Sequence, residues 1–134
     1  MRQHTKVQLE TIAKKRSEQI GRSSPDLVTQ TAFDDSGLRC AVQVLRDGQL
    51  VRLEFIESES TAGQGRFYDD YSEVAKGTGA LVIMFPESRY PRDLASSIFQ
   101  GIMSEVRKRA EREVEFQGFV YDDKGNLKPT KDSG

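Results

Sequence analysis

Cys40-Ala41-Val42-Gln43-Val44-Leu45-Arg46-Asp47-Gly48-Gln49-Leu50-Val51-Arg52-Leu53-Glu54-Phe55 places two β-rich runs on either side of an Asp-Gly pair. A two-residue type I′ turn needs positive φ at both central positions, and Asp-Gly tolerates that, so the pair is a hairpin signal. Across an unbroken turn, Val44 falls opposite Val51, Val42 opposite Leu53 and Cys40 opposite Phe55. Six apolar residues then share one face, while Gln43 with Arg52 and Ala41 with Glu54 take the other. This sorting predicts antiparallel strands over 38–45 and 50–56. Asp34-Asp35-Ser36-Gly37 makes a looser turn from an earlier strand over 27–33, which completes a meander of three.

Outward from the meander, helical signals appear on both sides. Thr5-Lys6-Val7-Gln8 fits a capping box, so a helix is expected over 6–20 with Gly21 as its stop. Leu9, Ile12, Ala13 and Ile20 form its apolar stripe. Residues 57–66 are polar and read as a mobile loop. Tyr68, Tyr71, Val74 and Ala75 have helical spacing, ended by Gly77-Thr78-Gly79. Ala80-Leu81-Val82-Ile83-Met84-Phe85 is apolar throughout and too short for a helix, so it reads as a strand covered on both faces. Pro91 and Asp93 open the longest helix, with Leu94, Ile98, Ile102, Val106, Ala110 and Val114 every four residues and Phe99 and Met103 widening the stripe. Gly118 closes that region, and Phe119-Val120-Tyr121 adds an edge strand. The order α-β-β-β-α-β-α defines an α/β (α+β) chain, a mixed sheet with an antiparallel meander flanked by helices. A single domain over 1–134 is expected, with an ordered core over about 5–121 and a frayed C-terminal tail.

Composition narrows the function classes. The chain has 134 residues, with 20 Lys and Arg against 21 Asp and Glu, a formal net charge of −1. That length suits one core, and the near-neutral balance argues against a generic polyanion binder. No run approaches the length of a membrane span and the polar N-terminus lacks a signal-peptide core, so a soluble cytoplasmic protein without a membrane partner is expected. The single cysteine, Cys40, excludes an internal disulfide and a Cys-based zinc cluster, and its apolar neighbours mark it as a buried inert thiol. The single histidine, His4, excludes multi-His metal sites. Glu57, Glu59, Asp69, Asp70 and Glu73 form an acidic group that reads as a solvated face. The basic first helix, with Lys14, Lys15 and Arg16, is the one place where nucleic acid has an electrostatic handle.

The element order over about 6–114 resembles the core of the PD-(D/E)xK, or restriction-endonuclease-like, superfamily. Ser24-Pro25-Asp26-Leu27 is similar to the family's Pro-Asp, and Arg52-Leu53-Glu54-Phe55-Ile56 to its third strand. The resemblance implies a divalent metal, magnesium, held by acidic side chains that position water. On that reading Glu10, Asp26 and Glu54 are the catalytic candidates of a metal-dependent nuclease. The chain departs from the pattern in its chemistry. Ile56 stands where the family has lysine, no acid occupies 38–45, and Asp26 lies one strand early. The order also resembles small acidic secretion chaperones that dimerise. With no complete metal set, no nucleophile–base pair and no phosphate loop, the expectation is a non-catalytic interaction or regulatory domain with a nuclease-like layout, without cofactor, whose partner is protein. A metal-dependent nuclease is the alternative and a chaperone-like, partner-holding homodimer the third reading.

Overall fold

A computed structural model describes residues 2–131 of this chain. Three helices and six strands follow one another as α1 (Arg2–Ser23), β1 (Val28–Phe33), β2 (Arg39–Arg46), β3 (Gln49–Glu57), α2 (Tyr68–Thr78), β4 (Ala80–Pro86), α3 (Arg92–Ala110), β5 (Glu115–Tyr121) and β6 (Leu127–Pro129). All six strands form one mixed sheet in sequence order. Strand β2 runs antiparallel to β1 and β3, β3–β4–β5 are mutually parallel, and β6 returns antiparallel to β5. The α/β class and the α-β-β-β-α-β-α order are therefore as the sequence predicts.

Helix α1 covers one face of the sheet, with Leu9, Ile12, Ala13 and Ile20 against Cys40, Val42, Val44, Ile56, Val82 and Met84. Helices α2 and α3 cover the other, with Tyr71, Phe99, Ile102 and Val106 against Phe55, Leu81, Ile83 and Phe85. The alternation along β4 supplies both cores, which is why its sequence is apolar without interruption.

Several expectations need correction. Helix α1 starts before Thr5 and runs through Gly21. Its stop is Pro25, because a residue before proline is pushed out of the α region and Ser24 makes the last turn to the Ile20 carbonyl. The hairpin turn is as read, with φ of 52° at Asp47 and 78° at Gly48, but the register beyond it is not. Leu45 pairs with Leu50 and Val44 pairs with Arg52, so Val51 is an extra residue in a β-bulge. One inserted residue moves every later side chain of β3 to the opposite face. Glu54 therefore sits beside Val42 under α1, not beside Ala41, while Leu53 and Phe55 turn toward α2 and α3.

The segment after β3 is packed rather than free, with Ser58, Thr61 and Ala62 buried. Along α3 the inner face is Ala95, Phe99, Ile102, Met103, Val106 and Ala110, whereas Leu94 is 47% exposed and Val114 lies outside the helix. Gly118 lies within β5. A Cβ there would sit 2.7 Å from both the Phe99 ring and the Thr130 hydroxyl, so glycine is what lets α3 approach the sheet. Strand β5 is interior, and β6 supplies the edge in the region expected to fray. Residues 132–134 lie outside the described residues.

Candidate functional site

Glu54 is the residue on which the nuclease alternative rests, and its surroundings are complete. The side chain is fully buried. Arg16 of α1 donates from Nε to Oε1 at 2.5 Å and from Nη2 to Oε2 at 3.0 Å, a bidentate pair. Arg52, two residues back on the same face of β3, donates from Nε to Oε2 at 2.7 Å. The Arg16 guanidinium also lies 4.9 Å from the centroid of the Phe119 ring. Two cations on one carboxylate, both partly shielded from water, occupy the oxygen directions a metal would use.

The other candidates lie elsewhere. Asp26 is in the loop before β1, exposed, and pairs with Arg46 at 2.9 Å. Glu10 is exposed on α1 and lines a groove with Lys6, Val7, Thr11, Lys14 and Phe33. Among the described residues, no group of three or more His, Cys, Asp or Glu side chains is placed to hold a metal ion. Of the basic triplet, Lys14 is exposed and Lys15 half-buried, but Arg16 is committed to Glu54.

A second buried carboxylate, Glu57, lies at the end of β3 on the opposite face. Arg39 donates to it from Nε at 2.8 Å, Thr61 at 3.0 Å, and the Tyr71 hydroxyl also bonds to it. Arg39 reaches on to Asp70 at 2.8 Å and stacks on Phe67, 3.8 Å from the ring centroid. Burial holds the Glu57 carboxyl above the ordinary carboxylate range, against the pull of Arg39. Burial, with Glu57 beside it, also raises the Tyr71 phenol. The acidic group expected as a solvated face is thus partly a core element, because Glu57 and Asp70 share one arginine.

Below the parallel strands, a cleft of about 900 Å³ is lined by Arg46, Arg52, Arg107 and Arg112 together with Glu113 and Glu115. Its arginines have internal duties. Arg46 holds Asp26, Arg52 holds Glu54, Arg112 donates to the Lys76 carbonyl at 2.8 Å, and Arg107 stacks on Phe116.

The two edges of the sheet differ in kind. Edge strand β6 has three residues and includes Lys128 and Pro129, both features that discourage pairing. Edge strand β1 has six residues, Val28-Thr29-Gln30-Thr31-Ala32-Phe33, with no charge and no proline, and four of the six are exposed.

The sequence reading gave Arg16 to a nucleic-acid handle and so missed its pairing with Glu54, and it missed Arg39 altogether. Arg16 had a signal: with Leu9, Ile12, Ala13 and Ile20 it completes the helical spacing of the buried stripe. Arg39 had none, since its pairing with Glu57 depends on the bulge. Among the described residues, no helix is long and apolar enough to cross a membrane. In comparisons with known proteins, no family model, no curated protein and no solved structure matches this chain.

Proposed function

We propose that this protein is a non-catalytic interaction domain, a nuclease-like α/β layout in which the site of metal chemistry is replaced by an ion-paired core. The observation that carries this reading is the Glu54 carboxylate, fully buried and held by Arg16 and Arg52. A catalytic metal needs several oxygen ligands around an open coordination site. Here Glu54 faces arginine, while Asp26 pairs with Arg46 at the surface. Such a carboxylate orients α1 on the sheet instead of holding a cation. The open edge at β1 supports protein as the partner class.

The test is direct. Purified protein with magnesium or manganese should leave single- and double-stranded DNA and RNA intact. Neither metal should raise its melting temperature, although a ligand at 100 times its Kd would add about 2.7 kcal/mol. Metal-dependent cleavage that disappears in a folded Glu54→Gln variant would overturn the reading and establish the nuclease.

A further inference from the structure

We propose that the cleft below the parallel strands binds the terminal phosphate of a small phosphate ester, with Arg52, Arg107 and Arg112 as the donors. The inference goes beyond the interaction-domain reading and does not depend on it. Its basis is positive charge without a local counter-ion. Arg52 shares the Glu54 carboxylate with Arg16, so this partly buried trio holds one positive charge in excess. Arg107 and Arg112 also line the cleft, and among the described residues neither makes an ion pair. Arg46 is neutralised by Asp26. Glu113 and Glu115 line the same space and make no ion pair either. Three uncompensated arginines thus stand against two glutamates. That small excess suits one compact anion, whereas the extended backbone of a nucleic acid would run against the glutamates.

The internal bonds of these arginines hold them in place and leave donors over. Arg52 uses only Nε on Glu54. Arg112 uses Nη1 on the Lys76 carbonyl, and its guanidinium lies against Gly79, where a Cβ would stand 2.7 Å from Nη2. Arg107 is held over the face of Phe116, 4.9 Å from the ring centroid, with none of its N–H groups bonded among the described residues. Side chains already ordered by the fold lose little freedom when a ligand arrives. The three come from β3, the last turn of α3 and the link into β5. A planar carboxylate is satisfied by one or two guanidinium forks, whereas the three terminal oxygens of a phosphate monoester accept from several sides. The rest of the ligand has a place as well. A second cavity of about 540 Å³ adjoins the cleft through Arg52, Ala80, Val114 and Glu115, and continues along Val82, Phe116 and Gln117. Its apolar wall with one side-chain amide suits the organic part of an ester.

Phenyl phosphate is the probe, titrated at constant ionic strength. Its phosphorus NMR resonance should shift and broaden with added protein, and calorimetry should give it a Kd about tenfold below that of inorganic phosphate, because the second cavity takes the ring. Arg107→Gln and Arg112→Gln should each weaken binding by about tenfold, the loss of one charge-assisted contact. Circular dichroism checks that both variants fold, and Arg107→Gln, which removes no hydrogen bond, decides the matter if Arg112→Gln does not. Arg89→Gln, exposed beyond the opposite end of β4, should bind as the wild type does. An unperturbed phosphorus resonance at millimolar phenyl phosphate overturns the proposal. So does binding that the cleft variants retain, or that Arg89→Gln loses equally, since either is a general ion effect. Equal affinity for inorganic phosphate removes the ester. Single-stranded DNA without a terminal phosphate should leave the probe in place, and its displacement would replace the small-molecule site by a nucleic-acid surface.

Discussion

At the scale of single residues, the ion pair at Glu54 shows how a charge survives in a core. The carboxylate has no exposure, yet each oxygen receives a charged donor, and the two guanidinium groups retain some water. Removing the negative partner strands the positive ones. Glu54→Gln should therefore cost about 3–5 kcal/mol in denaturant titration, most of it the penalty of leaving Arg16 and Arg52 uncompensated. Replacing all three together, Glu54→Leu with Arg16→Met and Arg52→Met, should recover most of that loss, since apolar groups of similar volume need no partner. A single substitution costing less than about 1 kcal/mol would show that the pair is not a buried charge site. That Arg52 and Glu54 share a face was legible two residues apart on one strand. That this face is the buried one under α1 was not, because it depends on the extra residue at Val51.

Turns and helices give the element-scale tests. Gly48 has φ of 78° in the Asp47-Gly48 turn, so Gly48→Val should destabilise by roughly 1–2 kcal/mol through a left-handed β-branched residue. Equal stability of the variant would mean that the turn adopts another type. The β5–β6 turn is tied by Asp122, which accepts backbone N–H groups from Lys124 and Asn126, each at 2.9 Å. The backbone bond from Asn126, and then that residue's side chain, hold the Asp122 carboxyl below the usual aspartate range. A depressed carboxylate stabilises the folded state above its ordinary pKa and loses that contribution as pH falls through its folded value. A carboxyl-resolved NMR titration should thus place Asp122 below an ordinary aspartate, with β6 loosening over the same pH interval. Asp122→Ala should abolish that titration and leave β1–β4 unchanged. Helix α3 shows how spacing can mislead at this scale. Four residues turn a helix about 40° past one revolution, so Leu94 and Ala110 cannot share a face. The observed inner face instead mixes steps of three and four.

For the whole molecule, one sheet carries two cores, and its strands cannot lose one without exposing the other. Cys40 reports on the α1 side, where burial pushes its thiol up to about 12, with Glu10 adding to the shift. Three of the four tyrosines, Tyr68, Tyr71 and Tyr90, pack on the opposite side, and there is no tryptophan to mask their emission. Cys40 should resist a thiol reagent at neutral pH, and its exposure in denaturant should coincide with the tyrosine transition, the signature of a single cooperative unit. Thiol exposure at distinctly lower denaturant would mean that α1 detaches alone. The amino-acid order was sufficient for the class of the fold, the Asp47-Gly48 turn, the doubly covered β4 and the buried Cys40, because each follows from local backbone preference or from the periodicity of apolar residues. Three features came only from residues distant in the chain: the face on which Glu54 lies, the pairing of Glu57 with Arg39, and the contrast between an open β1 and a guarded β6. Hydrophobic pattern specifies which residues seek the interior. A one-residue bulge, the approach of Phe99 over Gly118 and the order of strands decide which interior they reach, and those depend on packing that no local segment contains.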